Sequence, residues 1–242
     1  MKLNQRQCEI LEGVCENYIK QALPVSSESL RKKRYLPFSS ATIRNELAVL
    51  EKQHYLFHPY ISSGRIPTDK GFRFFVDKIL EEGDWGNLTE KENTIKELFL
   101  QLCQLKDLFK LSHQITKTLS QFSSDLILTY LPKENILWKE GWEMVLKEPE
   151  FQDVQYWREF VGAVNDFEKN IDKFDWQEKK IKVYIGKENP FGHNEVSVII
   201  TKTLIGKTKK NEGMIAILGP RRMDFKKNIG FLSKVGEMLE NL

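Results

Sequence analysis

Arg44 and Asn45, adjacent in the run SSATIRNELAVLEKQ over residues 39–53, are the side chains best suited to chemistry with an outside partner. A guanidinium can donate two parallel hydrogen bonds to a guanine edge, and a carboxamide can pair with an adenine edge, in the major groove of a duplex. Ile43, Leu47 and Leu50 recur at i, i+4 and i+7, which makes them the core stripe of an α-helix. Ala41, Thr42, Asn45, Ala48 and Lys52 fall about half a turn away, with Arg44 on the flank. Ser39 or Ser40 is the expected N-cap, since a hydroxyl can accept from an orphan amide of the first turn. The outer face is small, polar and basic, so the helix start can approach DNA closely. An ordinary surface helix would share the amphipathic pattern, and the neighbouring segments decide between the two.

Rival chemistry finds few residues. The fragment IGKT at Ile205 has the end of a phosphate-binding loop, but Thr201 stands where that motif needs Gly and a lysine-rich hairpin follows instead of a helix. His54 and His58 are four apart, yet they straddle an expected helix end and no Cys or carboxylate completes a zinc set. No GxSxG, HExxH or Cys and His pairing with a plausible nucleophile appears, so neither an enzyme nor a cofactor is expected. Cys8, Cys15 and Cys103 form no CxxC pair. Cys8 and Cys15 would sit roughly 10 Å apart along one helix, too far for a disulfide, and read as buried thiols of a reducing cytosol.

The elements that must hold the α-helix at Ser40 lie on both sides of it. Residues 4–21 are expected as a first helix, with Asn4 as cap, Gln7 as its capping-box partner, and Leu11, Val14, Cys15 and Tyr18 on one face. Pro24 prevents its continuation. Ser26 or Ser27 then caps a short helix through Leu30 to about Arg34, and a tight turn leads into the third, which is the helix-turn-helix pattern. The following YLFHPYISSGRIP reads as a short hairpin, or wing, with Ser62, Ser63 and Gly64 at its tip and Arg65 placed to reach a phosphate or a minor groove. Thr68 or Asp69 caps a fourth helix whose Phe72, Phe75, Val76 and Ile79 close the core. Gly83, Asp84, Gly86 and Asn87 break the chain and mark the domain boundary.

From Thr89 to about Ser123 no Pro or Gly interrupts the chain, Thr89 and Glu92 suit a capping box, and one long helix is expected. Ile95, Leu98, Leu102, Leu105 and Phe109 step by three and four along it as a heptad-like seam. Leu98, Leu102, Leu105 and Phe109 are the expected dimer contacts. A helical part with Trp138, Trp142, Trp157 and Trp176 follows, then strands from Ile181, Glu195 and Gly213, the last two joined as a hairpin, and a closing helix from Asp224. The expected class is therefore α+β. Its parts are a winged helix-turn-helix domain over 1–83, a connecting helix over 88–123 and a second domain over 124–242.

A length of 242 residues, 40% hydrophobic and 29% charged, describes a globular chain with room for two cores. The 37 basic side chains exceed the 34 acidic ones by only three, so a nucleic-acid footprint must be local. No signal peptide opens the chain and no apolar run nears about 18 residues, so a cytoplasmic protein off the membrane is expected.

The runs SSATIRNELAVLE and SSGRIPTDKGFRFFVD resemble the signature of the HrcA family, heat-inducible transcription repressors of bacteria. PVSSESL, EPEFQDV, KVYIGKENP and GMIAILGPRRMDF resemble the same family in the same order. The resemblance implies a homodimer whose winged domain binds an inverted-repeat operator upstream of chaperone operons, a GAF-like second domain with a dimerisation insertion, and support from the GroEL chaperonin. Carried over by motif, Ser40, Thr42, Arg44 and Asn45 are recognition-helix residues and Arg65 is the wing contact; Lys52 belongs to the same basic face. Tyr60 and Ile61 stand where the family more often has His and Thr. Family members also carry roughly a hundred more residues in the second domain, and LTYLPKENILWKEGW runs across the place where several strands are expected, which implies a reduced GAF-like sheet. The rival role is a ligand-responsive or protein-interaction regulator with secondary DNA binding.

Overall fold

The computed structural model describes residues 3–34, 36–60, 63–83, 89–102, 104–174, 181–205 and 211–240. Ile61, Ser62, Asp84, Gly86, Asn87, Cys103, Trp176 and the 206–208 part of the IGKT fragment lie outside the described residues, as do the side chains of Thr89 and Glu92. The chain divides into two compact units, Met1–Gly83 and Asp84–Leu242.

In the first unit, α1 (Gln5–Gln21), α2 (Ser27–Arg34) and α3 (Ser40–Lys52) precede a minimal hairpin, β1 (Leu56–Phe57) with β2 (Ile66–Pro67), and α4 (Asp69–Glu82) closes the unit. Asn4 caps α1 in a full capping box with Gln7, and Ala22 ends it in the left-handed region before Pro24. Ser39, not Ser40, caps α3, and Thr68 caps α4. The periodic positions meet as expected: Ile10, Leu11, Val14, Leu30, Ile43, Leu47, Leu50, Phe72 and Val76 are fully buried. Burying a side chain of this size is worth about 1.5–3 kcal/mol, so this set supplies the main stabilisation of the unit. Cys15 is buried with them, while Cys8 is half-buried.

The second unit contains α5 (Thr89–Leu102), α6 (Leu108–Ser120), β3 (Leu126–Leu131), β4 (Ile136–Glu140), α7 (Trp142–Val145), α8 (Val154–Lys169), β5 (Lys182–Ile185), β6 (Val196–Leu204), β7 (Glu212–Pro220) and α9 (Phe225–Glu240). Its strands form one antiparallel sheet in the order β4-β3-β7-β6-β5. Leu126, Leu128, Tyr130, Val198, Ile200, Met214, Ala216 and Leu218 line one face and pack with Phe160, Ala163, Val164 and Phe167 of α8. Residues one position along the strands face the other way, towards α6 and α9; Trp138, opposite Thr129, donates its indole N–H to Ser112 Oγ at 3.0 Å. The fold is mixed α+β.

Two expectations fail here. The run from Thr89 to Ser123 is two helices, because Asp107 accepts from the Lys110 amide and starts α6 afresh. Leu98 and Leu102 are half-buried on α5, Leu105 sits in the intervening turn, and Phe109 of α6 is 54% exposed and packs edge-on with Trp138, the ring centroids 4.6 Å apart. They form no continuous seam. The segment LTYLPKENILWKEGW supplies β3 and β4, with Asn135 in the left-handed region at the turn between them. Trp138 therefore belongs to a strand instead of a helical part.

Candidate nucleic-acid interface

Helix α3 presents two chemically distinct faces. Ile43, Leu47 and Leu50 have no exposed surface, whereas Arg44, Asn45 and Lys52 are exposed and Ser40 and Thr42 half-buried. Arg44 and Asn45 hold no partner among the described residues, so their donors are available to a ligand. Thr42 differs, for its amide donates to Ser39 Oγ at 3.1 Å and its hydroxyl lies 2.9 Å from the same oxygen. The side of α3 is fixed by α1: Glu46 accepts from Gln7 Nε2 at 3.0 Å and pairs with Arg6 Nε at 2.8 Å. The core stripe and these contacts set the rotation of the helix, and hence the direction of Arg44 and Asn45.

The hairpin is pinned from several directions. Val25, just before α2, exchanges backbone hydrogen bonds with Arg65 at 2.9 Å each. A Cβ on Gly64 would overlap the Val25 carbonyl, so only glycine permits this approach. His58 Nδ1 lies 3.1 Å from the Gly64 carbonyl, and Thr68 Oγ1 shares its one proton between the carbonyls of His54 and Tyr55, at 2.8 and 3.1 Å.

Arg65 is not the free wing-tip cation expected from the sequence. It sits immediately before β2, bridged to Val25, its side chain is 13% exposed, and its Nε donates to Glu51 Oε2 at 3.1 Å. The guanidinium braces the hairpin against the end of α3. Arg65→Ala is thus expected to lower unfolding free energy by about 1–2 kcal/mol, by removing a charge-assisted hydrogen bond from a half-buried carboxylate. The slope of log DNA affinity against log salt should change little; denaturant unfolding and binding at several salt concentrations check both parts.

Sequence reasoning missed the structural role of the family-like runs in the second unit. Arg222 of GMIAILGPRRMDF is buried and donates to Glu148 and Glu150, both within EPEFQDV, with the Glu148 Oε2 contact at 2.8 Å. Tyr156 adds a 2.9 Å bond from its hydroxyl to the Glu195 carbonyl. Opposite charges in two motifs were the available signal. Among the described residues no group of three or more metal-ligating side chains comes together, and no helix is long and apolar enough to cross a membrane.

The decisive comparison is with the family model described as the HrcA protein C terminal domain, which matches residues 87–229. The chain belongs to the HrcA family. The heat-inducible transcription repressor HrcA of Alkaliphilus metalliredigens is 39% identical over 124 residues, 51% of this chain and 36% of that relative. The HrcA repressor of Thermoanaerobacter pseudethanolicus is 26% identical over 336 aligned positions, covering 100% of this chain and 97% of the relative. Since this chain has 242 residues, that HrcA relative is the longer protein by a substantial insertion. A crystal structure described only as that of a hypothetical protein shares the fold, with a TM-score of 0.76 at 19% identity over 99% of this chain and 97% of the other.

Proposed function

We propose that this HrcA-family chain represses transcription of heat-shock operons by binding an inverted-repeat DNA operator as a homodimer. In this reading the first unit is a winged helix-turn-helix domain over 1–83 and the second a reduced GAF-like domain. Ser40, Thr42, Arg44, Asn45 and Lys52 form the DNA-facing set. The observation that carries the reading is α3 itself: a helix with a fully buried stripe, fixed on one side by α1, that turns Arg44 and Asn45 outward at its start. Membership of a family whose named relatives are heat-inducible repressors supports the biological role. Dimerisation follows from the reach of one such domain, which reads only a few base pairs, so specific affinity needs a second copy related by the symmetry of the operator. With the seam of Leu98, Leu102, Leu105 and Phe109 broken, these residues contribute at most separate patches to the dimer. A response to the GroEL chaperonin belongs to the same proposal.

Arg44→Ala and Asn45→Ala are each expected to cost about 1–3 kcal/mol in specific binding and to relax preference at one base pair per half-site. Affinity for the duplex that the wild-type chain selects, against a scrambled duplex, reads the effect. Equal losses on both duplexes would assign the two residues to phosphates.

A further inference from the structure

With Arg65 drawn back against Glu51, Tyr60 is the most exposed aromatic side chain among the described residues of the hairpin. Tyr60 is 74% exposed, while its backbone is held: its amide donates to Ser63 Oγ at 3.1 Å, and its carbonyl accepts from the Ser63 amide at 3.0 Å and from the Ser63 hydroxyl at 2.8 Å. Ser63 Oγ also lies 3.0 Å from the Gly64 carbonyl, an alternative acceptor for its one proton. Tyr60 and Ser63 are thereby tied to each other, and Ser63 leads directly to Gly64 and Arg65, the two residues seated on Val25 and Glu51.

We infer that Tyr60 is the contact of the wing with duplex DNA, donating its phenolic O–H to a backbone phosphate. This rests on the repressor reading above and replaces Arg65 in that role. A tyrosine suits the task because its two side-chain torsions leave little freedom to lose on binding, and hydroxyl donors are regular partners of phosphate oxygens. The phenol is neutral, so it displaces no condensed counterion. Its contribution differs in kind from that of a lysine or arginine, and salt dependence separates the two.

The test uses the full chain with the duplex that wild type selects from a random pool, and with a scrambled duplex. Tyr60→Phe, which deletes only the hydroxyl, is expected to weaken both roughly three- to tenfold, as the loss of one hydrogen bond does, with the salt slope unchanged. Lys52→Ala, as comparison, should lower that slope by about one. The thermal midpoint of Tyr60→Phe should equal that of wild type, because the hydroxyl has no partner among the described residues. Binding by Tyr60→Phe at wild-type strength overturns the assignment of Tyr60 alone and leaves the repressor reading standing. A shallower slope or a lowered midpoint in Tyr60→Phe also overturns it, since the loss would then come through altered charge contacts or a damaged hairpin. A wild-type chain that selects no duplex overturns the repressor reading and this assignment with it.

Discussion

Arg222→Ala is expected to lower the unfolding free energy of the second unit by about 2–4 kcal/mol. Removing one member of a buried ion network strands the others, and the penalty is the desolvated charge left behind more than the attraction lost. Here two carboxylates are stranded, Glu148 and Glu150, which keep 28% and 21% exposure, so the cost falls below that of a fully buried pair. Burial alone would make the guanidinium easier to deprotonate, yet the hydrogen bonds and charge of Glu150 and then Glu148 hold its pKa above the ordinary arginine value. Arg222→Lys should recover only part of the loss, because an ammonium cannot reach both carboxylates with a planar fork. Denaturant midpoints of the three proteins measure this order. A variant as stable as wild type would show that the contact is dispensable to the fold.

The second large effect is a pH dependence centred on Asp125. This residue immediately precedes β3, is 5% exposed, and accepts from Asn228 Nδ2 of α9 at 2.7 Å. Gly219 of β7 leaves the space its carboxylate fills, for a Cβ there would overlap it. Desolvation raises its pKa to about 7, against the lowering effect of the Asn228 hydrogen bond; Glu148 and Asp224 raise it further and Lys227 lowers it. Between the ordinary carboxylate pKa of 3.8 and about 7, the unfolded chain has released this proton while the folded chain retains it. Stability from this group is complete below the unfolded value and declines as pH rises through about 7, by up to about 4 kcal/mol in all. Asp125→Asn keeps an acceptor for Asn228 and cannot ionise. It should therefore gain stability over wild type at pH about 8 and lose most of the slope between pH about 4 and 8. Unfolding curves across that range decide it; parallel pH profiles for the two proteins would mean that Asp125 is ionised without penalty in the fold.

Local signals made the first unit legible. The stripe Ile43, Leu47 and Leu50, the Asn4 and Gln7 capping box and the Thr68 cap each involve residues within about two turns of one another, and all formed as the spacing indicated. The Arg65 side chain was misplaced because its partners, Val25 and Glu51, are distant in sequence and no periodicity encodes them. The break between α5 and α6 was hidden for a related reason. Absence of Pro and Gly permits a helix without requiring one, and Asp107 was a helix start that the apparent heptad outweighed. In the second unit LILTYL is buried at every position, so it lacks the alternation that marks a half-buried strand and looks the same as a helical core segment. The ion network of Arg222 and the buried Asp125 pair join residues more than seventy positions apart, and only the folded sheet brings them together.

Incubating the full chain with sheared DNA from its own genome, and sequencing what it retains at moderate salt, tests the central claim most directly. The expected product is a small set of fragments sharing two copies of one short half-site in opposite orientation, lost in Arg44→Ala and Asn45→Ala and released as salt rises. Fragments drawn evenly from the genome, or no retained DNA at all, would contradict an operator-binding repressor.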